Sequence, residues 1–431
     1  MRRPLLLRRA CRSRSWASLA FLGLLLASPA AEPAPAAVSP TVLLLSLDGT
    51  RPADVSALPL FRRLAERGAA ADGLVPVFPS NTFPNHVTFV TGVEPDRHGI
   101  VNNAFRDPAR GLFRYDDDPT WLQAEPLWAL LARAGIPSAS YHWVGSEGAW
   151  RDGLGPRHWE RFDSRVPARR KVERILAWLD LADPAERPRF VTCWLRGADA
   201  TGHRHGPGTE ESTEALREQE AALAKLVAGL EARGLLASTT LLLVSDHGMA
   251  RVARTLDLEK ELRAAGVRAD VIGGGGFATV RLGRGAGQRR AAERRAAVAR
   301  AVEVAGKLGL EAYARGETPA SWPTANARFG DLVVLAPVGT AIVDGGRALA
   351  APAAALGFGL QGAHGHRPEA SEMAGIFFAL GRGVEPGARP GRVRALDVAP
   401  TVLSLLGLPQ PAAMTGRPIP LHDEKMEETA R

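Results

Sequence analysis

Thr41-Val42-Leu43-Leu44-Leu45-Ser46-Leu47-Asp48-Gly49 is an unbroken β-branched and leucine run that stops on an aspartate and a glycine. A run apolar on both alternating faces is the habit of a strand buried in a parallel sheet, not of a half-exposed antiparallel one. Runs of similar character lie at Ser138–His142, Phe190–Leu195, Thr239–Val244, Asp331–Leu335 and Gly375–Leu380. Helical periodicities separate them, at Leu58–Arg67, Pro126–Ala134, Arg169–Leu181, Glu210–Arg233, Gln288–Leu308 and Ala395–Leu406. The alternation predicts an α/β fold with βαβ units and a central, mostly parallel sheet flanked by helices. In such sheets ligands bind at the carboxyl ends of the strands. That is where Asp48 falls, and where Asp246-His247 follows Leu241-Leu242-Leu243-Val244-Ser245.

Imidazole nitrogen and carboxylate oxygen are the donor set of catalytic zinc, which keeps positions open for water or substrate. Asp199 and His203 straddle a glycine-containing turn, and His364-Gly365 adds another imidazole beside a glycine. Each pair alone has a bland reading, because Asp-Gly is a common turn and a solitary histidine is usually a satisfied polar residue. Their order along the chain, with a hydroxyl among them, is the inventory of a two-metal phosphoryl-transfer site. The hydroxyl is Thr82, in Phe78-Pro79-Ser80-Asn81-Thr82-Phe83-Pro84-Asn85-His86. Pro84 to Thr91 reads as a helix, which puts Thr82 at or just before its N-terminus. An N-cap is the ordinary role of such a threonine. A helix start also favours an anion, so the cap and nucleophile readings are compatible.

The whole chain has 431 residues and a formal charge of +8. Arg2, Arg3, Arg8, Arg9, Arg12 and Arg14 precede residue 31 with no acid among them, and taking six from +8 leaves about +2. A basic stripe for long nucleic acid is therefore not expected. The front has the layout of a secretory leader over 1–30: cationic stretch, apolar run Ala17–Ala27, then small residues at Ser28-Pro29-Ala30-Ala31. That apolar run is short for a membrane anchor, so no stable membrane insertion is expected after cleavage. Only Cys11 and Cys193 occur, and Cys11 leaves with the leader. The mature chain then has no intramolecular disulfide, which fits a periplasmic or secreted bacterial protein. Residues 31–40 form an Ala/Pro-rich tether, 41–255 and 346–410 the catalytic domain, 256–345 an inserted cap, and 411–431 a tail. Within the insert, Gly273-Gly274-Gly275-Gly276 reads as a flexible turn.

These motifs, with His98-Gly99-Ile100-Val101-Asn102-Asn103, Asp199-Ala200-Thr201-Gly202-His203-Arg204-His205-Gly206-Pro207 and Ser245-Asp246-His247-Gly248-Met249, resemble the nucleotide pyrophosphatase/phosphodiesterase family of the alkaline phosphatase superfamily. The resemblance runs from about residue 41 to 408 and keeps the family's motif order. It implies two Zn²⁺ per chain, one held by Asp199, His203 and His364, the other by Asp48, Asp246, His247 and the Thr82 oxygen, about 4 Å apart. It implies Thr82 as nucleophile, through a threonyl-phosphate ester, and Asn103 as a neutral donor to a phosphate oxygen. His86 and His98 resemble structural positions, and His205 and His366 would point elsewhere. By the same resemblance Phe83 and Trp194 line a base-stacking pocket, while a core role for both aromatics stands beside it. The stretch Trp194-Leu195-Arg196-Gly197-Ala198 departs from the family's commoner acid and proline before the aspartate, and Arg196 adds positive charge near the pocket.

A diester carries one negative charge and a monoester about two, so a neutral Asn103 favours diesters. The expected substrate is a small nucleotide-type phosphate diester. Rival readings are a phospholipid-headgroup phosphodiesterase, a phosphonate hydrolase, a phosphomonoesterase, or a secreted scaffold that binds without catalysis.

Overall fold

Continuous apolar runs need cover on both faces, and the central sheet provides it. The computed structural model describes residues 39–283, 288–343 and 359–422. The leader, nearly all of the tether and the far end of the tail lie outside these residues. Residues 41–244 supply six strands of the first sheet: β1 (Thr41–Leu47), β2 (Ala69–Ala70), β3 (Ser138–Tyr141), β4 (His158–Glu160), β5 (Phe190–Leu195) and β6 (Thr239–Val244). The chain then builds a second sheet from β7 (Ala269–Gly274), β8 (Phe277–Leu282), β9 (Glu311–Ala314) and β10 (Leu332–Leu335), and returns to the first as β11 (Phe377–Gly381).

The first sheet has the order β2-β11-β6-β1-β5-β3-β4. β1 lies at its centre, parallel to β5 on one side and β6 on the other, with Val42 opposite Phe190 and Thr240. β3 pairs in parallel with β5 and β4. Its two faces are read directly from the alternation in β1. Val42 and Leu44 enter one apolar cluster, and Leu43, Leu45 and Leu47 enter another. Each such leucine, removed from water, contributes about 1.5–3 kcal/mol.

Helices packed around the two sheets include α1 (Pro59–Arg67), α2 (Thr82–Thr91), α3 (Leu127–Arg133), α4 (Ala168–Leu179), α5 (Asp199–His205), α6 (Glu210–Ala232), α7 (Gln288–Lys307) and α8 (Val398–Leu406), of which α7 belongs to the second sheet. α1 buries Leu60, Phe61 and Leu64, and α6 buries Leu216, Gln219, Leu223, Leu226 and Leu230, both at helical spacing. Thr209 starts α6 by accepting the Ser212 N–H, and Glu210 and Glu211 sit in its first turn, where the helix dipole favours acids.

Two expectations about strands need correction. Leu332–Leu335 is a strand, but it belongs to the second sheet, order β7-β8-β10-β9, where every pairing is antiparallel. The final apolar run is a strand of the first sheet, but β11 runs antiparallel to β6 and β2. A strand buried on both faces reads the same in either direction, and only its connection decides which way it runs. The second sheet has an apolar cluster of its own, in which Val271, Val280, Leu332 and Val334 pack with Ala301 and Val304 of α7.

The four-glycine run is not a flexible turn. Its first half is strand, and Gly275-Gly276 forms the two-residue tip between β7 and β8. Gly275 has a φ of 69°, and a Cβ there would stand 2.3 Å from the His364 carbonyl oxygen. The Gly276 N–H donates to that same carbonyl at 2.7 Å. A hairpin of the second sheet thus seats the His364 loop.

Gly197 imposes a comparable constraint at the tip of β5, with φ 54° and a would-be Cβ 1.9 Å from the Asp48 carbonyl oxygen. Gly197→Ala is expected to cost about 2–4 kcal/mol through backbone strain plus overpacking. Gly266→Ala, with φ 79° and open space around its Cβ, should cost about 1–2 kcal/mol from strain alone. Urea denaturation midpoints of the two variants check the difference; equal losses would contradict the crowding at Gly197.

Candidate active site

Three adjacent strands end at one edge of the sheet, and each delivers an acid there. Asp48 follows β1, Asp199 opens α5 after β5, and Asp246-His247 follow β6. His203 lies one turn along α5 from Asp199, with Nε2 3.2 Å from Asp199 Oδ1. His364 Nε2 comes within 3.8 Å of the same oxygen. On the other side, His247 Nε2 is 3.2 Å from Asp246 Oδ2 and 3.6 Å from Asp48 Oδ1. Donor atoms of Asp48, Asp246 and His247 form one group within 4.8 Å, and those of Asp199, His247 and His364 form a second. The rings of His247 and His364 stack at 3.7 Å between them.

α2 begins two residues earlier than expected. Thr82 is its first residue and Asn81 occupies the N-cap position without a side-chain cap bond. The Asn81 side chain is spent elsewhere, donating to Asn102 Oδ1 at 2.7 Å and accepting from His364 Nδ1 at 2.8 Å. The Thr82 hydroxyl is therefore not a cap. It lies 3.1 Å from His247 Nε2.

The hydrogen-bond pattern suits cations. Nδ1 of His203 is 2.8 Å from the Gly362 carbonyl, Nδ1 of His247 is 2.8 Å from the Gly248 carbonyl, and Nδ1 of His364 faces the Asn81 and Ser80 oxygens. Each Nδ1–H donates to oxygen, which leaves Nε2 as the lone-pair atom facing the carboxylates. Asp48 Oδ1, Asp199 Oδ1 and Asp246 Oδ2 are buried with no hydrogen-bond partner. The second oxygens of Asp48 and Asp246 are satisfied, by Trp194 Nε1 at 3.0 Å and the Gly49 N–H at 3.2 Å. Lone pairs thus converge on lone pairs, an arrangement that only positive charge stabilises.

Titration behaviour reports the same crowding. Burial, with the charges of Asp246 and Asp199, holds the Asp48 carboxyl well above its usual range. Burial alone would raise Asp199 too, but the charge of His203, 3.2 Å away, then those of His364 and His247, pull it below the usual range. Burial opposes protonation of His203, and Asp199 outweighs it, raising the imidazole to about 9. A proton and a cation compete for these atoms.

Around this centre, Asn103 Oδ1 accepts the Phe83 N–H at 2.8 Å, which turns its amide NH₂ outward, toward the Tyr115 hydroxyl. Asn102 is instead locked inside, accepting from Asn81 and from the Asn103 N–H. Phe83 is buried, 7% exposed, in the apolar cluster of one sheet face, and the half-buried Trp194 packs against that cluster with its ring edge-on to Phe83 at 6.5 Å. His86 Nδ1 meets the Thr82 carbonyl at 2.9 Å and Asp246 Oδ2 at 3.5 Å, and His98 bonds Thr88 Oγ1. His205 turns toward Glu211, and His366 toward the Ala336 carbonyl.

Three residues near the site went unread in the sequence. Phe162 stacks on Trp194 at 5.3 Å and Tyr115 meets Phe83 edge-on at 5.3 Å, both largely exposed. Tyr115 has a φ of 48°, rare for a bulky residue and concentrated at functional sites. Glu147 Oε1 accepts the Phe162 N–H, while its Oε2 is buried without a hydrogen bond, 3.8 Å from Arg161 Nε. The available signal was exposed aromatics flanked by charge, Arg161-Phe162-Asp163 and Arg114-Tyr115-Asp116.

With this geometry in hand, the comparisons are specific. The model of the type I phosphodiesterase/nucleotide pyrophosphatase family matches residues 42–362. The chain belongs to this family. Over 220 residues it is 38% identical to an uncharacterized pyrophosphatase/phosphodiesterase of Schizosaccharomyces pombe, covering 49% of this chain and 45% of that protein. It is also 34% identical over 220 residues to ectonucleotide pyrophosphatase/phosphodiesterase family member 1 of Rattus norvegicus, covering 49% of this chain and 24% of the relative. The chain thus spans less than half the length of these curated relatives. The solved structure of murine ectonucleotide pyrophosphatase/phosphodiesterase 5 superimposes with a TM-score of 0.74 at 25% identity, over 86% of this chain and 96% of the other. The same murine protein is also known as an inactive threonine-to-alanine variant in complex with AMP, likewise at a TM-score of 0.74.

Burial raises the Glu147 carboxyl to about 7, with Asp117 acting in the same direction. A raised native pKa means the neutral acid is the form the fold accommodates. Its stabilisation is complete below the unfolded value near 4.5 and is lost as pH rises toward 7. Glu147→Gln is therefore expected to gain melting temperature relative to the parent between pH 4.5 and 7. Parallel melting curves across that window would exclude the buried acid.

Proposed function

We propose that this chain is an exported two-zinc phosphodiesterase that hydrolyses small nucleotide-type phosphate diesters with Thr82 as nucleophile. The observation that carries the reading is the convergence of three partnerless carboxylate oxygens with imidazole Nε2 atoms beside the Thr82 hydroxyl. Asp199, His203 and His364 would hold one cation, and Asp48, Asp246 and His247, with the Thr82 oxygen, the other. Oxygen and imidazole donors without sulfur suit Zn²⁺. When bound, the pair would supply Lewis-acid charge to the ionised hydroxyl and to the departing oxygen.

The chain's own residues set the rest. Thr82 Oγ1 forms the new bond to phosphorus while the bond from phosphorus to the leaving alcohol breaks, and that alcohol departs with a proton. Water then cleaves the threonyl phosphate, returning the proton to Thr82 and releasing the monoester. The Asn103 NH₂, aimed by the Phe83 N–H, would donate to a non-bridging oxygen. Among the described residues no lysine or arginine hydrogen-bonds a candidate ligand, which supports a singly charged diester over a doubly charged monoester. Phe83 and Trp194 would stack a base, with Phe162 and Tyr115 extending the platform.

The AMP complex and the inactive threonine variant described for the murine neighbour support a nucleotide substrate and a threonine nucleophile. The leader-like front and relatives named as ectonucleotide and venom enzymes support export. No helix among the described residues is long and apolar enough to cross a membrane. We read 256–345 as an inserted subdomain whose glycine hairpin shapes the site by seating His364.

The test is turnover of a nitrophenyl ester of thymidine 5′-monophosphate beside nitrophenyl phosphate by zinc-loaded protein. The diester should be preferred, and Thr82→Ala should lose about 10⁴-fold or more of kcat. Asn103→Ala should lose about 10²–10³-fold, as for one oxyanion donor. Faster monoester turnover would reject the diester reading. Chelation should abolish activity and zinc should restore it; activity that survives full chelation would reject the metal site.

A further inference from the structure

Against Arg196 and Gly197 lies a cavity of about 320 Å³ with no candidate ligand in its wall, within the size range of small-molecule sites. Its wall includes Lys171, Arg165, Arg196, Thr201, Gln219 and Glu218. Lys171 decides its character. The residue is 4% exposed, and its one hydrogen bond among the described residues runs from Nζ to the Trp194 carbonyl at 2.6 Å. No carboxylate forms an ion pair with it among the described residues, and the face of the Tyr141 ring, 5.8 Å from Nζ, compensates its charge only in part. A buried ammonium without a counter-charge is costly unless an anion completes it.

The surroundings favour an anion as well. α4 begins at the cavity wall, where Pro167 is the N-cap and no side chain caps the first turn. Arg196 is exposed, bonded to the Ser164 carbonyl at 3.2 Å and, among the described residues, to no acid. Arg165 is paired with Asp163, and Glu218 is exposed, so the surplus of positive charge rests on Lys171 and Arg196.

We infer that this cavity is a second oxyanion site, built to take the phosphate group of inorganic phosphate or of a small organic phosphate on Lys171 and Arg196. Its occupant would sit directly behind the catalytic edge. Lys171 holds the carbonyl of Trp194, whose indole holds Asp48, and Gln219 clamps both backbone atoms of Gly197, two residues before Asp199. Anion binding there therefore bears on the backbone that aims two candidate ligands. The inference stands on the cavity alone and does not require the phosphodiesterase reading.

The experiment is calorimetric titration of inorganic phosphate into the zinc-loaded full chain and its variants. The parent should bind two phosphates per chain, one in the cavity and one at the candidate active site. Asp246→Asn should retain the cavity phosphate, Lys171→Met should lose it, and Arg196→Gln should weaken it about tenfold. AMP titrated into Asp246→Asn separates the sources: tighter binding than phosphate assigns an organic phosphate, and equal or weaker binding assigns the free ion. A single phosphate that disappears in Asp246→Asn overturns the inference, as does unchanged binding in Lys171→Met. If Lys171→Met fails to fold, the exposed Arg196→Gln decides, and unaltered affinity there overturns it. A chain that takes up no zinc would bind one phosphate, insensitive to Asp246→Asn and lost in Lys171→Met, which still supports the cavity.

Discussion

Like charges held at adjacent strand tips are the constraint on which the structure turns. β1, β5 and β6 run side by side in the same direction, so their carboxyl ends coincide and Asp48, Asp199 and Asp246 arrive together. The crowding lifts the Asp48 carboxyl and leaves one oxygen on each acid with no partner. Burying such a set is unfavourable unless cations neutralise it. The positions around it follow from that need: imidazoles oriented by backbone oxygens, a hydroxyl at a helix start, and glycines where backbones must touch.

The parallel sheet was legible because its signal is redundant. Thr41–Leu47, Phe190–Leu195 and Thr239–Val244 are apolar on both faces, bounded by turns, and separated by helical periodicity, and all three are strands. Strand direction was not legible. β10 and β11 carry the same composition as parallel strands, and their antiparallel pairing is set by long-range connection. The start of α2 was misplaced for a local reason. Asn81 and Thr82 are both competent caps, and partners more than twenty residues away in the chain determine that Asn81 takes the cap position.

The seven candidate ligand positions were legible as motifs because each stands beside a glycine, a helix start or a strand end. The walls of the site were not. Phe162, Tyr115 and Glu147 lie on loops whose paths depend on the tertiary fold, and no periodicity marks them. Lys171 is harder still. On α4 it reads as one of several basic residues, and only packing reveals that it is buried while Arg169 and Arg170 are exposed.

The seat of His364 on the Gly275-Gly276 tip has a mechanical consequence. Among the described residues Cys193 is the only cysteine, and it is free. A cation shared by Asp199, at the edge of the first sheet, and His364, fastened to the second, would act as a cross-link closing a loop of about 165 residues. Drawing the ion out would do more than remove a reagent. It would open a cross-link between two sheets otherwise held by packing, by hydrogen bonds such as Gly276 N–H to the His364 carbonyl, and by the Arg367–Glu311 ion pair, so loss of metal would be felt first as slackness of the second sheet.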